Sequence, residues 1–195
     1  MQVKLYLAST SKFKSSILNR VGLKHQTMSS NIEEKSSFKD PYEYVKDLSL
    51  NKALSIKDKI TDGFIIGLDT IVLINNKIIE KPLNIKEARL NLENSSNNLN
   101  KVITGITIIN TLNNKIITDY QETLVTFKAI SKEDIDYYLE NEPDITYASG
   151  FIIENIASNF ISKIEGSYYN ILGAPVEKIY EILNKFNVYL KDISH

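Results

Sequence analysis

At three places in this chain, polar or charged residues lie next to or within apolar segments, where packing alone does not explain them. The first is residues 7–14, LASTSKFK, where a β-prone run ends in a serine-rich turn followed by two lysines. A helix that begins there offers free backbone N–H groups and the positive end of its dipole to an anion. Two lysines in a first helical turn oppose that dipole, and an anionic ligand would offset them. The alternative is an ordinary serine N-cap with solvated lysines.

Lys52 is the second unusual residue. On a helical wheel it lies inside an apolar stripe that also contains Pro41, Val45, Leu48 and Ile56. A lysine in such a stripe either extends its ammonium group to solvent, which is the commoner outcome, or meets an anionic partner. The pattern alone leaves both alternatives open.

Asp69 is the third, as the only charged residue in the apolar run FIIGLDTIVLI from Phe64 to Ile74. A carboxylate in a buried strand is costly unless it binds a metal, a cation or several donors, although an aspartate that caps a turn at a strand end is the alternative. Glu80 and Lys81 add another acid and base at the far end of the same predicted hairpin. These acids, lysines and helix N-terminus together indicate metal-assisted phosphoryl chemistry.

The composition excludes several other kinds of site and partner. The 195 residues include no cysteine and two histidines, which excludes disulfides and thiolate sites and disfavours a multi-histidine metal site or a serine–histidine triad. The net charge of −1 argues against a nucleic-acid polymer or an anionic membrane as the main partner. Only Arg20 and Arg89 are arginines, so an anion must be bound mostly by lysines and backbone amides. The apolar run at Met1–Thr10 is too short for a signal peptide or a membrane span, and we expect a cytoplasmic protein.

Strand and helix signals alternate along the chain and predict an α/β domain with a mixed sheet. Ser11 is the expected N-cap of a helix to Val21, Ser131 opens another, and Asn75-Asn76 is the expected hairpin turn. The predicted strands are residues 3–9, 64–74, 77–80, 102–110 and 116–127, and the mixed pattern of residues 152–164 also predicts strands. The other predicted helices are residues 41–57, 85–92 and 131–140, and one with Pro175 at its first position that ends at Phe186. The polar residues 91–101 read as a loop.

Seven segments resemble, in order, the motifs of the Maf-type nucleoside triphosphate pyrophosphatases, formerly called septum formation proteins. LASTSKFKSSIL (7–18) is similar to the family signature L-A-S-x-S-P-R-R-x-x-L-L. The others are NIEE (31–34), YVKDLSLNKA (44–53), GLDTIV (67–72), IIEKP (78–82), VITG (102–105) and GSYYNILGAP (166–175). Because these ordered segments span nearly the whole chain, they are far more specific than any one motif.

The resemblance implies one domain over residues 1–195, with an elongated mixed β-sheet flanked by helices and two lobes around a central cleft, as in inosine-triphosphate pyrophosphatase. It implies hydrolysis of a nucleoside triphosphate between the α and β phosphates, with a divalent cation (Mg²⁺ or Mn²⁺) as cofactor. A homodimer is one assembly that we consider. The implied general base is Asp69, which with Glu34 would contact the metal. The implied phosphate-binding residues are Lys14, Lys52 and Lys81, and Ser9 is an implied substrate-binding residue.

The chain departs from the family pattern at three places. Phe13 and Lys14 replace two arginines, Glu154 in SGFIIEN (149–155) replaces a glutamine, and Ala174 replaces a leucine. A family branch active on 7-methyl-GTP similarly carries an aromatic residue and a glutamate at the first two places. A carboxylate accepts from both guanine donors, N1–H and N2–H₂, and an aromatic ring attracts a positively charged methylated base. We therefore expect Phe13, Thr70 and Glu154 to select the base, with a slight preference for 7-methyl-GTP over dTTP or UTP.

Two alternatives remain at this stage. In the first, neither Phe13 nor Glu154 contacts a base, because Phe13 packs in the core beneath its helix and Glu154 is solvated. The lost arginines also fit a nucleotide-binding regulator of cell division that no longer catalyses a reaction. Retention of the acids and lysines argues against that regulator, because a pure binder does not need a carboxylate that activates water.

Overall fold

The apolar runs of the sequence form the strands of a mixed sheet in this computed structural model, which describes residues 2–142 and 152–193. Within the described residues the sheet has seven strands, in the order β2-β1-β3-β5-β6-β7, and β4 pairs with β3. The strands are β1 (Leu5–Ala8), β2 (Gln26–Met28), β3 (Phe64–Ile74), β4 (Lys77–Ile79), β5 (Leu99–Asn110), β6 (Ile116–Phe127) and β7 (Ile161–Gly166). Strand β1 is parallel to β2 and β3, whereas β3–β4 and β6–β7 are antiparallel. The predicted α/β class with a mixed sheet is confirmed.

Helices and short 3-10 turns connect these strands. The α-helices are α1 (Lys12–Arg20), α2 (Pro41–Leu54), α3 (Ile85–Ser95), α4 (Lys132–Asn141), α5 (Tyr168–Ile171) and α6 (Val176–Asn184). The 3-10 helices are Lys57–Lys59, Ile156–Phe160 and Leu190–Asp192. Among the described residues, no helix is both long and apolar enough to cross a membrane.

The chain divides into two compact units. The first takes its residues from Met1–Thr70, Ile103–Gln121 and Leu172–His195, and the second from Ile71–Val102 and Glu122–Ile171. The single domain with two lobes around a cleft stays a prediction.

Local signals start the two helices that matter most in the first unit. Ser11 Oγ accepts from the Lys14 N–H at 3.3 Å and caps α1, as predicted. Asp40 caps α2 by accepting from the N–H groups of Tyr42 and Glu43, and Pro41 occupies the first turn, where no N–H is needed. Both helices are anchored by apolar burial on the sheet. One such buried cluster consists of Ala8, Ala53, Ile56, Ile60, Ile65 and Ile109.

The second unit is organised around a buried tyrosine on α4, a helix that begins at the predicted cap Ser131. Tyr138 is fully buried and packs edge-on against Phe160, with ring centroids 6.2 Å apart. Its hydroxyl accepts a 3.0 Å hydrogen bond from the Ile152 N–H. Burial raises the pKa of Tyr138 to about 12, against the Ile152 hydrogen bond and with a further contribution from the charge of Glu142. The phenol therefore stays neutral at physiological pH.

Three predictions about elements were wrong in detail. Residues 91–101 are not one loop, because α3 continues to Ser95 and β5 begins at Leu99. Ser95 and Asn100 are buried and hydrogen-bonded to each other, so tertiary contacts override a polar composition there. Residues 152–164 contain a 3-10 helix before β7 rather than strands alone. Pro175 is the N-cap of α6 rather than its first residue, and α6 ends at Asn184 instead of Phe186.

Candidate active site

Asp69 lies in the middle of β3 with 9% of its side chain exposed. Leu68 before it and Ile71 two residues after it are buried apolar residues, and the adjacent Thr70 is half-buried. The aspartate is thus a carboxylate inside a packed strand and not a cap at a strand end. Such a group requires a cation or several donors close by.

Lys52 of α2 supplies that cation. Its Nζ donates to Asp69 Oδ1 at 2.6 Å and forms a second ion pair with Glu34 Oε1 at 2.7 Å. The lysine side chain is only 9% exposed, so it does not extend to solvent. Of the two alternatives that the apolar stripe left open, the structure has the lysine that meets anionic partners.

Glu34 reaches this pair from the segment between β2 and α2. Its side chain is 60% exposed, in contrast to the buried Asp69. The two carboxylates therefore converge on one cation from different environments, one inside the sheet and one at the surface. Among the described residues there is no group of three or more acids or histidines that could hold a metal.

The two carboxylates also set the protonation state of the lysine. Burial lowers the pKa of Lys52, but the charges and hydrogen bonds of Asp69 and Glu34 outweigh it and hold that pKa above the ordinary 10.5. Lys52 is therefore an ammonium group in the folded protein at neutral pH.

Two glycines that the sequence analysis did not single out allow α2 to approach the sheet closely enough for this contact. A Cβ atom on Gly67 of β3 would lie 2.1 Å from the Ser49 carbonyl oxygen, and one on Gly105 of β5 would lie 2.0 Å from the Val45 carbonyl oxygen. Because both distances are far below van der Waals contact, no larger residue fits with α2 in this position. An isolated glycine within an apolar strand indicates such a close backbone approach and was the available signal.

Lys14 and Thr70 both lie close to a third glycine. Lys14 Nζ is 3.5 Å from the carbonyl oxygen of Leu68, the residue before Asp69. Thr70 Oγ1 is 3.0 Å from Thr104 Oγ1 on the neighbouring strand. A Cβ on Gly173 would lie 3.0 Å from Lys14 Cε and 3.1 Å from Thr70 Oγ1, and the φ of +74° at this position favours glycine. The first unit thus brings α1 and the residues flanking Asp69 together.

Ser9 and Phe13 lie at the start of α1. Ser9 Oγ accepts from the Ser11 N–H at 3.1 Å and so shapes the turn that enters the helix. The Phe13 residue is 44% exposed, which excludes the alternative in which it packs in a core. Their contact with a substrate stays a prediction.

Lys81 and Glu154 belong to the second unit, and each lines a hollow there. Lys81 is exposed and borders a hollow of about 330 Å³ together with Pro82, Glu87 and Asn91. Glu154 is also exposed and borders a hollow of about 500 Å³ together with Ser158, Lys163 and Tyr168. Residues 149–151 of the SGFIIEN segment lie outside the described part of the chain. The roles predicted for Lys81 and Glu154 stay predictions.

The fold is similar to that of one solved structure. It aligns with the structure of the Staphylococcus aureus Ham1 protein with a TM-score of 0.50 and 10% sequence identity, covering 94% of this chain and 97% of that one. At this identity the likeness concerns the fold alone, and it agrees with the fold class that the resemblance implied.

Sequence relatives cover almost the entire chain. A protein named dTTP/UTP pyrophosphatase from Thermoanaerobacter sp. (strain X514) is 38% identical over 190 residues, which is 96% of this chain and 100% of the relative. Proteins of the same name from Thermosipho melanesiensis and Clostridium perfringens (strain SM101) are 38% and 33% identical, covering 92% and 95% of this chain and 96% and 98% of the relatives. The family model described as Maf-like protein matches residues 4–186. The chain therefore belongs to the Maf-like protein family.

Proposed function

We propose that this protein is a nucleoside triphosphate pyrophosphatase that hydrolyses the bond between the α and β phosphates. The observation that carries this proposal is the buried Asp69 carboxylate, held by Lys52 beside a second carboxylate from Glu34. Burying an aspartate and its lysine partner in a mainly apolar environment costs desolvation free energy. A chemical role for the carboxylate explains why the protein keeps this pair. The names of the relatives support the same reaction class.

In this proposal Asp69 is the general base. A water molecule supplies the oxygen that bonds to phosphorus, the α–β anhydride bond breaks, and pyrophosphate leaves with the electron pair of that bond. The Asp69 carboxylate takes the proton of the water. Lys52 orients that carboxylate through its 2.6 Å hydrogen bond to Oδ1, so that the base is positioned before the substrate enters.

The residues present fit a divalent cation, because two carboxylates already share one positive charge, the Lys52 ammonium. Mg²⁺ typically takes one or two carboxylates and completes its shell with water and substrate phosphates, so two acids are enough. Glu34 and Asp69 would hold Mg²⁺ or Mn²⁺. The bound cation supplies neutralisation of the phosphate charge.

Lysines bind the triphosphate in this proposal. Lys14 lies beside the strand residue that precedes Asp69, and Lys52 donates a hydrogen bond to the Asp69 carboxylate. Lys81 and Ser9 are added by the family resemblance. Lysine supplies a point charge where arginine supplies a planar fork, so these contacts neutralise the phosphates with less geometric selectivity.

We propose dTTP or UTP as the preferred substrate, because each relative described above is named dTTP/UTP pyrophosphatase. These names do not support the slight preference for 7-methyl-GTP that Phe13 and Glu154 suggested. Thr70 and Glu154 remain candidates for contact with the base, and the exposed ring of Phe13 is a candidate for stacking on it. A homodimer and a cytoplasmic location also stay proposals.

The test is a pyrophosphate-release screen with dTTP, UTP, CTP and 7-methyl-GTP in Mg²⁺ or Mn²⁺. We expect dTTP and UTP to be hydrolysed with the highest kcat/KM, and monophosphate to form in equal amount to pyrophosphate. Faster hydrolysis of 7-methyl-GTP would overturn the base assignment alone. Failure on every triphosphate would favour the non-catalytic regulator.

A further inference from the structure

Lys52 occupies the position between two carboxylates that a metal ion would need. Its Nζ lies 2.6 Å from Asp69 Oδ1 and 2.7 Å from Glu34 Oε1. Oxygen atoms of two carboxylates are also the ligands that Mg²⁺ and Mn²⁺ prefer. The same position between the two carboxylates therefore suits either the Lys52 ammonium group or a divalent metal ion.

The lysine is held in that position by the fold. Helix α2 is packed on the sheet at Gly67 and Gly105, where backbone atoms of α2 fill the space that a side chain would take. The Lys52 side chain is 9% exposed, so water cannot solvate the ammonium group well enough to take the place of its two carboxylate partners. A buried ammonium group that loses its anionic partners is strongly unfavourable unless another anion replaces them.

We propose that Lys52 is an internal counter-cation that occupies the metal position between Asp69 and Glu34, and that it moves onto substrate phosphate when the divalent cation binds. The proposal rests on the proposed function, because the nucleoside triphosphate supplies the replacement anion. Exchange of one cation for another keeps both carboxylates paired before and after the substrate enters.

This exchange couples the metal to the substrate. A divalent cation that binds alone must displace Lys52 or remain next to its positive charge, and both cost free energy. A triphosphate removes that cost because it pairs with the displaced ammonium. Metal and triphosphate therefore strengthen each other's binding, by the same factor in either order.

The test compares Lys52→Met with Lys46→Met by titration calorimetry. Lys46 is on the same helix and pairs with Glu43 at 2.5 Å. Its removal therefore changes the net charge by the same amount as Lys52→Met but takes no ion-pair partner from Asp69. The first titrant is Mn²⁺ alone, and the second is the α,β-methylene analogue of dTTP in metal-free buffer. We expect Lys52→Met to bind Mn²⁺ tighter than wild type by about tenfold and the analogue more weakly by a similar factor. Lys46→Met should match wild type in both titrations.

Opposite signs for the two ligands distinguish the exchange from a merely structural lysine, whose loss would weaken both. Mn²⁺ should also raise the melting temperature of Lys52→Met by more than that of wild type, because it supplies a counter-charge to the two carboxylates that lose the Lys52 ammonium. If Lys52→Met does not fold, Lys52→Gln must give the same signs, since glutamine keeps a donor without the charge.

Mn²⁺ binding by the lysine variant that is no tighter than wild type would overturn the proposal. That result together with normal pyrophosphate release would leave the proposed function intact. Opposite signs in a protein that hydrolyses no triphosphate would support the exchange and contradict the proposed function.

Discussion

Lys52 Nζ donates a 2.6 Å hydrogen bond to Asp69 Oδ1, and each of the two side chains is 9% exposed. The lysine comes from α2 and the aspartate from β3, so one ion pair joins a helix to the sheet and also forms the candidate active site. Removing one partner of a buried pair leaves a charge without compensation and typically costs about 3–5 kcal/mol. Activity and stability must therefore be measured together for any variant at this pair.

Asp69→Asn tests the general base. Asparagine has nearly the same shape and keeps an acceptor for Lys52, but it cannot take a proton from water. We expect pyrophosphate release to fall by about 10²–10⁴-fold, with the far-UV circular dichroism of wild type. The matched control is Asp62→Asn, an exposed aspartate whose contact with Lys4 is 3.6 Å long, and it should retain full activity. Near-normal turnover by Asp69→Asn would contradict the assignment.

Lys14→Met tests phosphate binding from α1. Lys14 is partly buried and reaches Leu68 O on the strand that carries Asp69, whereas its neighbour Lys12 is exposed. Loss of one charge-assisted contact to phosphate is worth about 1.5–3 kcal/mol, so KM should rise by roughly tenfold or more while kcat changes little. Lys12→Met is the control, with KM near the wild-type value. Equal effects of both variants would show general electrostatic attraction instead of a contact.

Gly105→Ala tests the close approach of α2. The new Cβ would lie 2.0 Å from the Val45 carbonyl oxygen, so the helix must shift, and Lys52 shifts with it. We expect the free energy of unfolding to fall by about 1–3 kcal/mol or more, and activity to fall as well. Gly22→Ala is the comparison, because its Cβ meets nothing within 4 Å although its φ is +83°. Urea unfolding should give the larger loss for Gly105→Ala, and the reverse order would contradict the packing argument.

Tyr138 predicts a loss of stability in strong base. Burial first, and the charge of Glu142 in addition, raise the pKa of Tyr138 to about 12, from an ordinary value of 10.0. Unfolded chains therefore release this proton before folded chains do. The stabilising contribution is complete below pH 10 and is lost as the pH rises toward 12.

Urea unfolding of wild type and Tyr138→Phe between pH 9 and 12 checks this prediction. Other tyrosines and the lysines titrate in both proteins, so the difference between the two curves isolates Tyr138. The free energy of unfolding should fall more steeply for wild type above pH 10. Parallel curves would contradict the shifted pKa.

Features of the fold that depend only on residues close together in the sequence were predictable from the sequence. Ser11 caps α1 because a hydroxyl meets an N–H three residues later, and Asn75-Asn76 forms the hairpin turn with φ angles of +51° and +62°. The polarity of residues 91–101 predicts a loop, and this prediction is wrong. The burial of Ser95 and Asn100, which depends on the rest of the second unit, decides the outcome there.

The sequence by itself determined which groups are available for chemistry. It provided two unusual charges, Lys52 and Asp69, in otherwise apolar patterns, and it excluded thiol chemistry. It left open whether Lys52 extends to solvent, because a helical wheel describes one helix without its neighbours. Only the tertiary structure decided that Lys52 lies between Asp69 and Glu34. That contact requires α2 to pack against two glycines from separate strands, an arrangement that depends on the burial of residues far apart in the chain.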